Sequence, residues 1–129
     1  MRSLVTAGLI ALTSALAPAA LAQERPSTIL VLDASGSMWG QIDGINKITI
    51  ARDVVGDIVS DFPADQNLGF VTYGHRERGQ CADIETLVEP APGTAAEIAG
   101  IVEGLNPRGM TPMTDAVITA AQALRHTEQ

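Results

Sequence analysis

The chain has 129 residues, a formal net charge of −7 and a single cysteine. The acidic balance argues against nucleic acid or an anionic membrane surface as the main partner. In an oxidising compartment, one cysteine suggests a partner elsewhere, an intermolecular bridge or a free thiol.

The first 22 residues have the pattern of an export signal. Arg2 is the only charged residue before Glu24, a mostly apolar stretch follows it, and residues 20–22 (Ala-Leu-Ala) match a signal-peptidase site. A membrane anchor is the alternative, but the apolar stretch is short and rich in alanine. We therefore predict a signal peptide over residues 1–22, cleavage after Ala22, and a periplasmic or secreted mature chain of residues 23–129 without a stable membrane anchor.

The first predicted element of the mature chain is a strand over residues 28–32. Its branched apolar run is typical of a strand buried on both faces of a parallel sheet. Asp33, Ser35 and Ser37 follow at the carboxyl end of this strand, where open α/β sheets place their ligand sites. Three oxygen-bearing side chains on a tight loop suit a small cation such as Mg²⁺, although the same residue types also cap turns and helices.

A helix is predicted over residues 45–62, because apolar residues recur there at helical spacing. The predicted inward positions of this helix are Ile48, Ala51, Val55, Ile58, Val59 and Phe62. Residues 68–73 then predict a second buried strand, and the alternation over residues 84–88 predicts an exposed edge strand.

Two more helices complete the predicted elements of a single domain. A capping box at residues 94–97 predicts a helix, which buries Ile98, Ile101, Val102 and Leu105. The last helix is predicted to begin at Pro112 with Thr111 as its N-cap and to end near His126. Its predicted inward positions are Val117, Ala120, Ala121 and Leu124.

Topology brings separated segments to one edge of the sheet. A right-handed crossover makes the first two strands parallel, so both end at the same edge. The loop over residues 106–111 returns to that rim after the antiparallel third strand. Thr111 can therefore join Asp33, Ser35 and Ser37 with a fourth oxygen.

The motif Asp33-x-Ser35-x-Ser37 after a buried strand, together with Gly-Met-Thr-Pro at residues 109–112, resembles the von Willebrand factor A domain family. Element order and spacing agree with this family over residues 26–127. The resemblance implies an α/β fold, the Rossmann-like three-layer von Willebrand factor A domain.

A second stretch is similar to a group of exported bacterial members of the same family. It consists of Tyr-Gly-His-Arg at residues 73–76, with Cys81 and Asp-Ile-Glu at residues 83–85. This likeness agrees with the export signal at the N-terminus.

The resemblance implies a metal-ion-dependent adhesion site. Ser35, Ser37 and Thr111 would ligate the metal directly, and Asp33 would act through water. The metal is expected to be Mg²⁺, with Mn²⁺ or Ca²⁺ as alternatives, and an acidic side chain of a protein ligand would complete its coordination. The chain is thus expected to be an exported adhesion or protein-binding module, with no catalytic residues.

Four residues near this rim are predicted to contact the acidic partner: Trp39, His75, Arg76 and Arg78. Basic side chains and an aromatic anchor suit such a surface. In the alternative interpretation the three basic residues are ordinary solvated loop residues and Trp39 covers the first helix.

The sequence departs from the family pattern at its C-terminal end. The family sheet has six strands in the order 3-2-1-4-5-6, and a second aspartate follows the strand after the last helix predicted here. Only the N-terminal three strands and three helices are present, so residues 23–129 are expected to be an incomplete domain. A missing C-terminal part of the same protein becomes an expected partner, and Cys81 is expected to pair with a cysteine there.

Two other functional classes remain as alternatives. A truncated remnant would lack metal affinity because the second aspartate is missing. A metal-dependent hydrolase is disfavoured because Ser35 stands where phosphoryl-transfer folds with an aspartyl nucleophile place a second acid. There is also no Gly-x-Ser-x-Gly elbow at Ser35 or Ser37.

Overall fold

A computed structural model describes residues 25–126. In chain order its elements are β1 (Ser27–Asp33), a 3₁₀ helix (Gly36–Trp39), β2 (Gln41–Ile42), β3 (Ile45–Asn46), α1 (Lys47–Ser60), β4 (Asn67–Tyr73), β5 (Ile84–Pro92), α2 (Ala95–Gly104) and α3 (Met113–His126). The main sheet of the described residues has the order β1-β4-β5.

The central strand β4 pairs in parallel with β1 and antiparallel with β5. Six of its seven residues are buried, which confirms the predicted buried strand over residues 68–73. Strand β1 is one residue longer at each end than predicted, because Asp33 still pairs with Tyr73 at the carboxyl edge. The predicted parallel arrangement is confirmed, and it ends both strands at the rim that carries the candidate site.

The core lies on the sheet face covered by α1 and α2. Phe70 is fully buried there against Val55, Val59, Ile98 and residues around them. Burial of one such large side chain contributes roughly 1.5–3 kcal/mol to folding. Helix α3 contacts all three strands but adds no residue to this cluster, which places it on the opposite face of the sheet. The result is the predicted three-layer α/β arrangement.

The predicted helix over residues 45–62 is wrong at its N-terminal end. Ile45 belongs to a short hairpin of β2 and β3, which sequence analysis missed. The hairpin turn is Asp43-Gly44, with φ angles of 51° and 82°. An Asp-Gly pair is a known signal for such two-residue turns, so the sequence did carry a cue.

The same prediction is also wrong at its C-terminal end and at one inward position. Helix α1 ends at Ser60, three residues before Pro63, whose missing N–H cannot continue a helix. Ile58 was expected to face the core, but it is 48% exposed. Ile48, Val55 and Val59 form the buried face of α1, and Ile58 lies outside that face.

The capping box predicted for α2 is not formed. Thr94 makes no side-chain cap bond, and its hydroxyl lies 2.5 Å from the Leu68 carbonyl oxygen and 3.2 Å from that of Ala91. The threonine therefore joins the start of α2 to the sheet instead of closing the helix end. The buried positions Ile98, Val102 and Leu105 are confirmed, whereas Ile101 is only partly buried.

Helix α3 begins one residue later than predicted and faces the sheet with a different stripe. Ala116 and Ala120 are buried, whereas Val117 is 53% exposed and Ala121 is exposed. Small side chains on the inner face let the helix approach the strands closely. The larger residue Val117 therefore faces solvent, although it was predicted to face the sheet.

None of the helices within residues 25–126 is both long and apolar enough to cross a membrane. The predicted signal peptide, with its cleavage after Ala22, lies outside the described residues.

Candidate functional site

Three separate segments meet at the carboxyl edge of the main sheet, and backbone hydrogen bonds hold them together. The Gly36 N–H donates to the Gly109 carbonyl at 3.0 Å, and the Arg108 and Gly109 N–H groups both donate to the Gly74 carbonyl, at 2.9 and 2.7 Å. Ser35 and Gly109 also form an isolated parallel bridge. The loops after β1, after β4 and before α3 therefore form one connected rim.

Gly74 occupies a point where these segments approach closely. Its φ of +70° is in the left-handed region that favours glycine. A Cβ at this position would lie 2.5 Å from the Met110 carbonyl oxygen and 2.8 Å from the Ser35 Cα. Only glycine fits, both for its backbone angle and for the space available.

Asp33, Ser35 and Ser37 form a hydrogen-bonded group at this rim. The Ser35 N–H donates to Asp33 Oδ1 at 2.7 Å, and the hydroxyl oxygens of Ser35 and Ser37 are 3.0 Å apart. Ser35 is buried, with 1% of its surface exposed, whereas Ser37 is exposed. The motif therefore presents one fixed hydroxyl and one that opens to solvent.

Tyr73 lies beside Asp33 on the neighbouring strand. The two residues are register partners in the parallel pair of β1 and β4. Burial, followed by the negative charge of Asp33, raises the pKa of Tyr73 to about 12. The phenol therefore keeps its proton at neutral pH.

Thr111 lies on the neighbouring segment and is exposed. Its carbonyl accepts the Met113 N–H at 2.9 Å at the start of α3, while Gly109 and Met110 contact the Gly74 region. Within residues 25–126, no hydrogen bond joins its hydroxyl to the two serines. The structure thus brings Asp33, Ser35 and Ser37 into direct contact and places Thr111 on the adjoining loop.

The two serine hydroxyls fit an octahedral Mg²⁺ ion. Mg²⁺ binds oxygen at about 2.0–2.1 Å, so neighbouring ligands of an octahedron are separated by about 2.8–3.0 Å. The two serine hydroxyls are hydrogen-bonded at 3.0 Å, a separation that is compatible with this geometry. Residues 25–126 contain no group of three or more His, Cys, Asp or Glu side chains able to hold a metal.

The loop after β4 is organised around a second, buried carboxylate. Asp83 accepts hydrogen bonds from the Arg76 N–H at 2.8 Å, the Glu77 N–H at 3.0 Å and the Arg76 Nε at 2.7 Å. Burial alone would raise its pKa, but the Glu77 N–H, the Arg76 guanidinium and the Arg76 N–H outweigh burial and hold the pKa of Asp83 below its usual value. This carboxylate therefore shapes the rim without facing solvent.

We expect Asp83 to make stability depend on pH at the acid end. A carboxyl whose pKa is lowered by folding stabilises the native state above its unfolded pKa of about 3.9, and this contribution is lost as the pH falls through the folded value. Urea unfolding of the wild type and of Asp83→Asn between pH 6 and pH 3 measures it. The stability difference between the two proteins should shrink below about pH 4, and a constant difference would contradict the assignment.

The four predicted rim residues lie in different environments. Trp39 is 47% exposed, and its Nε1 donates to the Pro107 carbonyl at 2.9 Å. The side chain of Arg76 is 47% exposed and pairs with Asp83 and Glu85. Arg78 is exposed.

His75 differs from the other three, because only 11% of its side chain is exposed. Its Nε2 lies 3.0 Å from Glu85 Oε2, and its Nδ1 is buried without a hydrogen-bond partner among the described residues. His75 therefore packs largely inside the loop that follows β4 and offers little surface to a partner.

Cys81 lies in the same loop, exposed and without a disulfide in the described part of the chain. Its pairing with a cysteine outside this sequence stays a prediction.

Sequence reasoning gave no role to Gly74, Asp83 or Arg108, which build this rim. Gly74 carried a recognisable signal, since a glycine directly after a buried strand often marks a close backbone approach. Asp83 was noted only within a stretch resembling other family members. Arg108 had no signal of its own, because its neighbours in space come from distant segments.

Comparison with known families supports the fold described above. The model for the von Willebrand factor type A domain matches residues 28–129, a range that includes both motif segments of the rim. No curated protein matches the chain.

Proposed function

Because the chain belongs to the von Willebrand factor type A domain family, whose members are typically protein-interaction modules, we propose that it is an exported adhesion module that binds a partner protein through Mg²⁺. In this proposal no bond is made or broken, and the chain is not an enzyme. Recognition depends on the rim at the carboxyl ends of β1 and β4.

In this proposal each residue of the rim has a distinct role. Ser35, Ser37 and Thr111 hold the ion through their hydroxyl oxygens, and Asp33 supports it through water. When bound, Mg²⁺ supplies an open coordination position for a carboxylate oxygen of the partner. Tyr73, the register partner of Asp33 on the neighbouring strand, positions Asp33 through the pairing of the two strands.

The single observation that carries this proposal is the geometry of the two serines. Their hydroxyl oxygens are 3.0 Å apart, and the Ser35 N–H donates a hydrogen bond to the Asp33 carboxylate. Two neutral oxygens held at the separation of adjacent octahedral ligands suit a hard divalent cation. Mn²⁺ and Ca²⁺ take similar oxygen donors and are the alternatives to Mg²⁺.

The exposed side chains of the rim favour an acidic protein partner. Trp39, Arg76 and Arg78 are exposed on the loops that form the rim, and residues of these types are common in the centres of protein interfaces. The pattern of residues 1–22 supports a periplasmic or secreted location for this contact.

A thermal melt of the full chain with Mg²⁺ and with EDTA tests the metal. At about a hundredfold excess over the dissociation constant, Mg²⁺ should stabilise the wild type by roughly 2.7 kcal/mol, which corresponds to a rise in Tm of roughly 10 °C. Thr111→Ala should abolish the shift, because it removes one proposed ligand from an exposed position.

Thr114→Ala is the matched control for this test. It removes the same hydroxyl and methyl from an exposed position three residues further on, within α3, and should keep the full response to Mg²⁺. A cooperative transition that ignores Mg²⁺ in the wild type would contradict the proposal and favour a remnant without metal affinity.

A further inference from the structure

A pocket of about 340 Å³ opens beside the candidate metal rim. Its lining residues are Trp39, Arg76, Arg78, Asn106, Pro107 and Arg108. Trp39 follows Ser37 by two residues, and Arg108 precedes Thr111 by three, so the pocket and the metal rim share two loops. The hydrogen bond from Trp39 Nε1 to the Pro107 carbonyl at 2.9 Å fixes one wall of the pocket.

The pocket is a positively charged region on an acidic chain. Three guanidinium groups line it, although the chain has a formal net charge of −7. Arg76 pairs with Asp83 and Glu85, whereas Arg78 and Arg108 have no ion-pair partner within residues 25–126. Two unneutralised guanidinium groups around one cavity create a site for anionic groups.

We propose that this pocket is a second subsite, which binds an acidic side chain of the partner segment whose other carboxylate reaches the metal. This proposal rests on the proposed function, since both subsites serve the same ligand. Arginine pairs with carboxylates through two parallel hydrogen bonds, and the Trp39 ring offers an apolar wall for the methylene groups of a glutamate or aspartate. The chain thus recognises a segment with two acidic residues instead of one.

The charge distribution favours an acidic protein segment over a long polyanion. Outside the pocket the chain is negatively charged overall, so a nucleic acid or an anionic membrane surface would be repelled along most of its contact. A short acidic segment meets the arginines without this repulsion.

The test measures binding of a fluorescently labelled hexaglutamate peptide to the full chain in Mg²⁺. Trp39 is the only tryptophan in the sequence, so a change in its emission reports occupancy of the pocket itself. The double variant Arg78→Glu/Arg108→Glu should bind the peptide more weakly by at least about tenfold, because the pocket then repels carboxylates.

Arg25→Glu/Arg125→Glu is the charge-matched control. Both residues are exposed, and they lie before β1 and in the last turn of α3, away from the rim. The control changes the net charge by the same amount, and we expect it to keep most of the affinity for the peptide. Equal losses in the two double variants would overturn the pocket as a specific site.

A Mg²⁺ and EDTA comparison separates this proposal from the proposed function. If the pocket variant keeps the thermal shift with Mg²⁺ but loses the peptide, both proposals are supported. If Mg²⁺ has no effect while the pocket variant still loses the peptide, the metal site fails and the pocket stands as an acidic-segment site. The pocket proposal is overturned if hexaglutamate does not bind, if hexaglutamine binds equally well, or if inorganic phosphate competes as strongly as the peptide.

Discussion

Gly74→Ala is expected to lower the free energy of unfolding by about 3 kcal/mol, because it combines a strained backbone with a steric clash. The new Cβ would meet the Met110 carbonyl oxygen and the Ser35 Cα, at 2.5 and 2.8 Å. Neither neighbour is the flexible end of a side chain, so relief requires the loops to move apart. Urea unfolding measures the loss of stability, and a melt with Mg²⁺ should show a reduced metal response.

Gly79→Ala is the control that separates the two causes. Gly79 lies in the same loop with a φ of +73°, but a Cβ there meets no atom within 4 Å. Gly79→Ala should therefore lower the free energy of unfolding by only about 1 kcal/mol, the cost of placing alanine in the left-handed backbone region. It should leave the response to Mg²⁺ intact. Equal costs at Gly74 and Gly79 would show that close packing at Gly74 contributes nothing.

Asp83→Ala is expected to cost about 3 kcal/mol at neutral pH, since the N–H groups of Arg76 and Glu77 and the Arg76 Nε–H lose their acceptor. Only 1% of the Asp83 side chain is exposed, so little water is available to replace the lost hydrogen bonds. The loop from Gly74 to Asp83 should loosen, because the Arg76 and Glu77 N–H groups lose their shared anchor. Hydrogen exchange of these two amides, measured beside urea unfolding, should become faster.

Asp53→Ala provides the comparison for Asp83. Asp53 is exposed on α1 and makes no ion pair or side-chain hydrogen bond within the described residues. Its replacement should change stability by no more than about 0.5 kcal/mol. If Asp83→Ala behaved in the same way, the loop would not depend on its buried carboxylate.

Several features that the sequence predicted correctly are set by neighbouring residues. The apolar run over residues 68–73 became the buried central strand, and the alternate positions of Ser35 and Ser37 placed their hydroxyls side by side. A short segment at the end of a strand has few alternative conformations, so residue type and spacing were sufficient. The order of the three longer strands and three α-helices followed from the same local patterns, whereas the hairpin of β2 and β3 was missed.

The inner face of α3 could not be predicted in this way. Its sequence is rich in alanine, and its larger apolar side chains Val117 and Ile118 are both about half exposed. The contact with the sheet selects the face with the smallest side chains, Ala116 and Ala120, over the face that includes Val117. This choice depends on the distance between α3 and the sheet, which the spacing of apolar residues in the sequence does not reveal.

The rim of the candidate site was predictable only in part for a related reason. Gly74 matters because Met110 lies against it, and Asp83 matters because two amides several residues earlier turn toward it. The pocket beside Trp39 likewise combines residues from three loops. Such contacts exist only in the folded chain, so residue types and spacing could indicate the metal motif but not its support.

The hydrogen bonds that join the three loops around Gly74 affect which residues of this rim can be substituted. They run from N–H groups to carbonyl oxygens of Gly36, Gly74, Arg108 and Gly109, and main-chain bonds place few demands on the side chains that project from them. If the proposed pocket binds a partner, exchanging Arg78 or Arg108 should therefore change the choice of partner while the backbone frame stays the same. The exposed side chains of this rim can therefore be changed without breaking the main-chain hydrogen bonds that hold its loops together.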